Sequence, residues 1–253
     1  MSTIDSSRRQ TELDVARDGS RELSTDGVAT RIFLQPIAAP SILGLFGFAG
    51  ATFIVASNLA GWWGTPQSGL ALAPFAAMFG GLAQFLAGMW SYRARDAIAT
   101  AMHGTWGAFW LAYGILNILV AAGALAAPKP WYHNPELGFW FFALAGVTAS
   151  GALASLAESI GLFAVLSTLA AGSGILAGAF IYGSHGWTEV AGWVFVFSAG
   201  FAWYVATAMM LAAAGGRVVL PLGKLSREAN KPGGRVTRPI ELEWAEPGVR
   251  MGQ

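Results

Sequence analysis

The chain has no cysteine, so disulfides, thiolate metal sites and cysteine nucleophiles are all excluded. It is also poor in charge: 11% of its 253 residues are Asp, Glu, Lys or Arg, against about 25% in a soluble domain. A soluble fold is therefore disfavoured. Net charge is +1, and the basic residues form no dense run among aromatics, so no nucleic-acid surface is expected. The three histidines, His103, His133 and His185, fall on different sides or depths of the apolar segments, and no H-E-x-x-H or G-x-S-x-G occurs. No catalytic residue, metal site or cofactor is expected. The first forty residues lack a short apolar stretch ending in a small-residue cleavage site, so no signal peptide is expected.

What the chain has instead is apolar length. Hydrophobic residues make up 55% of it, mean hydropathy is +0.52, and apolar runs are nearly contiguous from residue 41 to 213. A helix crossing a hydrocarbon core about 30 Å thick needs about 20 such residues. Six segments qualify: Ser41–Gly61, Leu70–Ser91, Thr100–Ala124, Leu137–Leu156, Ile160–Tyr182 and Val190–Ala213. Every acidic and basic residue lies outside these cores or at an edge, as the cost of about 2.5–3.5 kcal/mol for a central charge demands. With the N-terminus inside, Arg31, Arg93, Arg95, Arg217, Lys224 and Arg227 are cytoplasmic, and Lys129 alone is outside.

The fold class is thus an all-α, polytopic membrane protein with six transmembrane helices and both termini cytoplasmic. The expected organisation is a disordered cytoplasmic tail (1–35), a six-helix membrane domain (36–223) and a second cytoplasmic tail (224–253). The setting is the plasma (inner) membrane.

Within the spans, glycine and alanine are dense, and Gly174-Ile175-Leu176-Ala177-Gly178 has the spacing of a close helix contact. Trp62, Trp63, Trp131, Tyr132 and Trp187 fall at the outer interface, where amphipathic rings anchor. Trp106 and Trp110 share a helix face at i, i+4, and facing lipid or a neighbouring helix is as good a reading for them as facing a path. Polar groups inside the spans are sparse. Thr52, Ser57, Asn58, Gln84, His103, Asn117, Thr148, Ser167, Thr168, Ser198, Tyr204 and Thr207 are costly in hydrocarbon and should face the bundle interior or a watery path. Gln84 and His103 stand out, each bringing a strong hydrogen-bonding group into an apolar helix; for His103 a satisfied interface residue is favoured over a proton relay. No transmembrane carboxylate exists to carry a proton.

Certain motifs then resemble a family. Phe79-Gly80-Gly81-Leu82-Ala83-Gln84-Phe85-Leu86-Ala87-Gly88, followed by Tyr92 and by Trp106-Gly107-Ala108-Phe109-Trp110, is similar to the [YF]-G-G-x-x-Q-x-x-A-G…Y…[YW]-G-x-F-W pattern of the acetate uptake transporters, the YaaH- or SatP-like acetate–succinate permeases. Leu43-Gly44-Leu45-Phe46-Gly47-Phe48 resembles the end of that family's N-P-A-P-L-G-L-x-G-F, and Gly216-Arg217-Val218-Val219-Leu220-Pro221-Leu222-Gly223 its closing G-R-x-x-L-P-[IL]-G. The resemblance implies six-helix protomers in a homo-hexamer. Each protomer would have its own pore for small monocarboxylates such as acetate, and sometimes succinate. It also implies an apolar pore constriction, at Phe48, Trp106 and Leu169. The chain departs from the pattern at Ala39-Pro40-Ser41-Ile42, at Met209 where an acidic residue is frequent, and at Trp106 where Tyr is common, losing a hydroxyl and gaining bulk.

The expected path runs from an outer mouth near Lys129, His133 and His185, past polar groups (Gln84, Tyr204, Asn58, Thr52, His103, Thr168), and through the constriction. A carboxylate would cross with a proton or as the transiently neutral acid, because an apolar constriction opposes a bare anion. Two rivals stand beside it: a non-transporting oligomeric scaffold that binds a protein partner through its cytoplasmic tails or outer surface, and a channel for a neutral solute such as ammonia or water.

Overall fold

The structure, a computed structural model, describes residues 37–65 and 67–224. The expected tails therefore lie outside the described residues, apart from Lys224.

Among the described residues, six helices are long and apolar enough to cross a membrane: α1 (Pro40–Leu59), α2 (Ser68–Ala94), α3 (Ala97–Ala121), α4 (Pro135–Ser155), α5 (Ile160–Tyr182) and α6 (His185–Gly215). Their starts follow from local chemistry. Pro40 and Pro135 stand in the first turns of α1 and α4, where a missing N–H costs nothing. Asp96, Asn134, Ser159 and Ser184 cap α3 to α6, each accepting a backbone N–H of the first turn, from Asp96 at 2.8 Å to Ser184 at 3.5 Å. Gly183 and Gly216 end α5 and α6 in the left-handed region, at φ 68° and 62°.

The expected spans are all present. The fifth has the expected limits, whereas α6 begins at His185 rather than Val190, so Trp187 belongs to its first turn and not to a loop. The second span differs inside. Pro74 interrupts its hydrogen bonding, and Ala77–Ala83 forms a π-helical segment before regular helix resumes at Gln84. That segment holds Phe79-Gly80-Gly81, and it resets the azimuth of Gln84.

Each helix packs against its neighbours in chain order, and α6 closes on α1, so the six form a ring; the α3–α4 seam is the loosest. In a bilayer, close approach rather than water exclusion holds such seams. A Cβ on Gly88 would come within 2.6 Å of the Gly104 nitrogen, and one on Gly107 within 2.6 Å of the Phe85 nitrogen, so α2 and α3 touch backbone to backbone. Gly192 plays the same part between α6 and α1, against Ala60. Gly174 and Gly178 do not. Nothing lies within 4 Å of where their side chains would be, so this G-x-x-x-G makes no contact within the protomer and faces outward. Large apolar side chains such as Phe142 and Leu153, 68% and 70% exposed, cover the outside, as a lipid-facing surface requires.

Beyond α6 the chain folds back. Ile160 N–H donates to the Gly223 carbonyl at 3.1 Å and Gly161 N–H to that of Leu222 at 2.9 Å, satisfying donors that the first turn of α5 leaves open.

Candidate functional site

Inside the ring lies a cavity of about 330 Å³. It is walled by Ser41, Leu45 and Phe48 of α1, Gln84 of α2, and Met102, His103 and Trp106 of α3. Leu162, Val165, Leu166 and Leu169 of α5, with Val205 and Met209 of α6, line the opposite side. Its rim carries Asp96, Glu158 and Lys224, which belong to the end rich in Arg93, Arg95 and Arg217, the cytoplasmic end by charge asymmetry. Partial burial at the rim pushes the Glu158 carboxyl above the usual range. Asp96 pushes it the same way and Lys224 opposes.

The deep end is set by helix geometry. Phe48, Trp106 and Leu169 stand eight, nine and nine residues beyond the starts of α1, α3 and α5, hence at one level about 12–14 Å along each helix. All three are 2% exposed and belong to one apolar cluster. The Phe48 and Trp106 rings meet edge to face, with centroids 6.3 Å apart. Trp106 is held from across the α3–α4 seam: its indole N–H donates to Thr148 Oγ1 at 2.9 Å, and both groups are buried. The polar handle lost with a tyrosine hydroxyl is therefore replaced by an anchored indole.

Outward of this level an aromatic column fills the ring. Phe109 meets Trp106 at 5.4 Å and Phe141 at 5.1 Å, and Phe141 continues to Phe180 and Phe195 at 6.1 and 6.3 Å. Sequence reasoning missed Phe141, Phe180 and Phe195, since apolar aromatics on an apolar helix carry no sign of which way they face.

The polar residues expected along the path divide. Gln84 (2% exposed) and His103 (5%) share the cavity wall, their Nε2 and Nδ1 atoms 3.4 Å apart. Thr52 is buried above the cavity and its Oγ1 has no hydrogen-bond partner. Asn58 instead donates to the Trp63 carbonyl at 2.8 Å, bracing the turn between α1 and α2. Thr168 bonds back to the Ala164 carbonyl at 2.6 Å and is not on the wall. Tyr204 corrects the expected path most clearly: it lies on the outside of α6, 39% exposed, its hydroxyl donating to the Pro221 carbonyl at 2.7 Å. Val205 and Met209, one and five positions on, take the inner face. At the outer end His185 pairs with Glu189 at 3.5 Å and packs on Trp131 and Tyr132. Among the described residues no cluster of metal-ligating side chains occurs.

A profile of the GPR1/FUN34/yaaH family matches residues 23–227. The succinate-acetate/proton symporter SatP of Escherichia coli K12 is 28% identical over 192 residues, 74% of this chain and 96% of that protein. The ammonia transport outward protein 2 of Saccharomyces cerevisiae is 29% identical, over 69% of this chain and 62% of its own length. The solved structure of the bacterial acetate channel SatP superposes with a TM-score of 0.68 at 25% identity, covering 74% of this chain and 100% of that one.

Proposed function

The chain belongs to the GPR1/FUN34/yaaH family of multi-pass membrane proteins, and we propose that it passes small monocarboxylates, acetate first among them, across the plasma membrane through each protomer, with the dicarboxylate succinate as a further candidate substrate. The observation that carries this reading is the cavity that ends on Phe48, Trp106 and Leu169. These three residues are the constriction. Carrying an isolated carboxylate into such a layer costs on the order of tens of kcal/mol, against a few for a neutral polar group. A proton therefore crosses with the substrate, and flux at fixed total acetate rises as pH falls. The protomers form a homo-hexamer, supported by the bare Gly174 and Gly178 face of α5.

Labelled acetate uptake into liposomes holding the purified protein tests this. Uptake above that of protein-free liposomes, larger at acidic than at neutral pH, is expected; uptake equal to theirs at every pH contradicts it. A second reading, passage of ammonia, is favoured by the name of the yeast relative and by an uncharged constriction that a neutral solute also fits. It predicts that ammonia crosses at rates acetate does not reduce. A scaffold without transport has no use for the buried polar pair on the cavity wall.

A further inference from the structure

Gln84 and His103 are the cavity's deeply buried hydrogen-bonding pair with unused capacity. The Gln84 Oε1 atom is buried without a hydrogen-bond partner, and an acceptor left unpaired away from water is costly. His103 is held in place by a missing side chain. Its ring stands over Gly44, where an added Cβ would come within 2.5–2.6 Å of Cε1, Nδ1 and Nε2, so only glycine there leaves room for the imidazole.

The chemistry of the pair follows from its one internal contact. With the Gln84 amide N–H on Nδ1, the neutral imidazole carries its proton on Nε2, and the unused groups are one acceptor, Gln84 Oε1, and two donors, His103 Nε2–H and the second amide N–H. Turning the amide over makes His103 Nε2 the unused acceptor and leaves both amide N–H donors beside it. A protonated carboxylic acid offers both kinds of group, O–H and C=O. A carboxylate offers acceptors alone, so it can take the donors but leaves the buried acceptor unpaired.

We propose that Gln84 and His103 form a recognition site for the undissociated carboxylic acid, reading its O–H and its carbonyl together just below the constriction. This deepens the transport reading and rests on it for the identity of the acid. The other ionisable groups on the cavity are Asp96 from the α2–α3 turn, Glu158 from the α4–α5 turn and Lys224 after α6. They stand at the rim, while α1, α5 with its N-cap, and α6 contribute Ser41, Ser159 and otherwise apolar side chains.

The site predicts a ligand preference that needs no flux and no pH change. Acetamide has an N–H donor and a carbonyl at every pH, whereas methyl acetate, of similar size, has the carbonyl and no donor. Saturation-transfer NMR on the purified full-length protein at neutral pH should show acetamide bound at least about tenfold more tightly than methyl acetate. Gln84→Met and His103→Leu should each remove that preference. Equal binding of the two probes to the native protein, or a preference that persists in both variants, overturns the proposal. Because the native protein is compared with two ligands, a variant that fails to fold leaves the test intact. Acetamide preference without acetate flux would refute transport while sustaining the site; acetate flux without the preference would do the reverse.

Discussion

The two halves of the protomer are built from the same kind of helix and end up opposite in character. The cytoplasmic half encloses a cavity walled by Leu, Val and Met, with one buried polar pair and a charged rim. The outer half is filled by Phe109, Phe180 and Phe195, each packed against Phe141. What separates them is side-chain volume at matching inward positions, not hydropathy. A solute reaching Phe48, Trp106 and Leu169 from the cytoplasm meets a barrier several side chains thick, so passage requires the outer column to move.

The largest expected effect removes the difference at its boundary. Trp106→Ala deletes the widest side chain of the proposed constriction, and truncating a buried Trp costs about 3–5 kcal/mol in soluble cores. Liposome uptake should then admit acids several carbons larger than acetate, by at least about tenfold over the native rate, with a lower melting temperature. Next comes the anchor. Thr148→Val leaves the buried Trp106 N–H unpaired at a cost of about 1–3 kcal/mol. It should broaden size selectivity in the same direction by a few-fold, and Thr148→Ser should restore it.

A contrast in glycines sharpens the account of the ring. Gly107→Leu forces α2 from α3 and should abolish the folded protomer in detergent, whereas Gly174→Leu should leave the protomer's melting unchanged and weaken only its assembly, as native mass spectrometry would show. The smallest effect is at the rim. The Glu158 carboxyl binds its proton more readily when folded than when unfolded. Its ionised form therefore opposes folding above the ordinary Glu range, and that penalty fades as pH falls through the raised folded value. Glu158→Gln should raise the melting temperature slightly at neutral pH and leave it unchanged in acid.

The number, order and approximate limits of the spans were legible in the sequence because a bilayer imposes length and forbids central charge. The azimuth of each helix was not. These spans are apolar nearly all round, so no stripe marks the inner face, and the G-x-x-x-G of α5 could be read as an internal contact although it points outward. Tyr204 was misplaced for the same reason. The π-helical turn at Ala77–Ala83 shifted the register of α2 without any signal but Pro74 and paired glycines. Gln84 and His103 were legible because a strong polar group in hydrocarbon has few places to go. Thr148 gave half a signal: polar and buried, it was found, but its partner lay 42 positions away on another helix.

The lack of native cysteine makes the decisive measurement direct, since an introduced thiol is the protein's only one. Leu162→Cys, on the inner cavity wall, and Leu176→Cys, 1% exposed in the outer half, are treated in oriented vesicles with a membrane-impermeant thiol reagent. Leu162→Cys should react from the cytoplasmic side alone, and Leu176→Cys from neither side until acetate flux is driven. Reaction of Leu176→Cys from outside at rest, or protection of Leu162→Cys from the cytoplasm, would contradict a path open to the inside and barred at Phe48, Trp106 and Leu169.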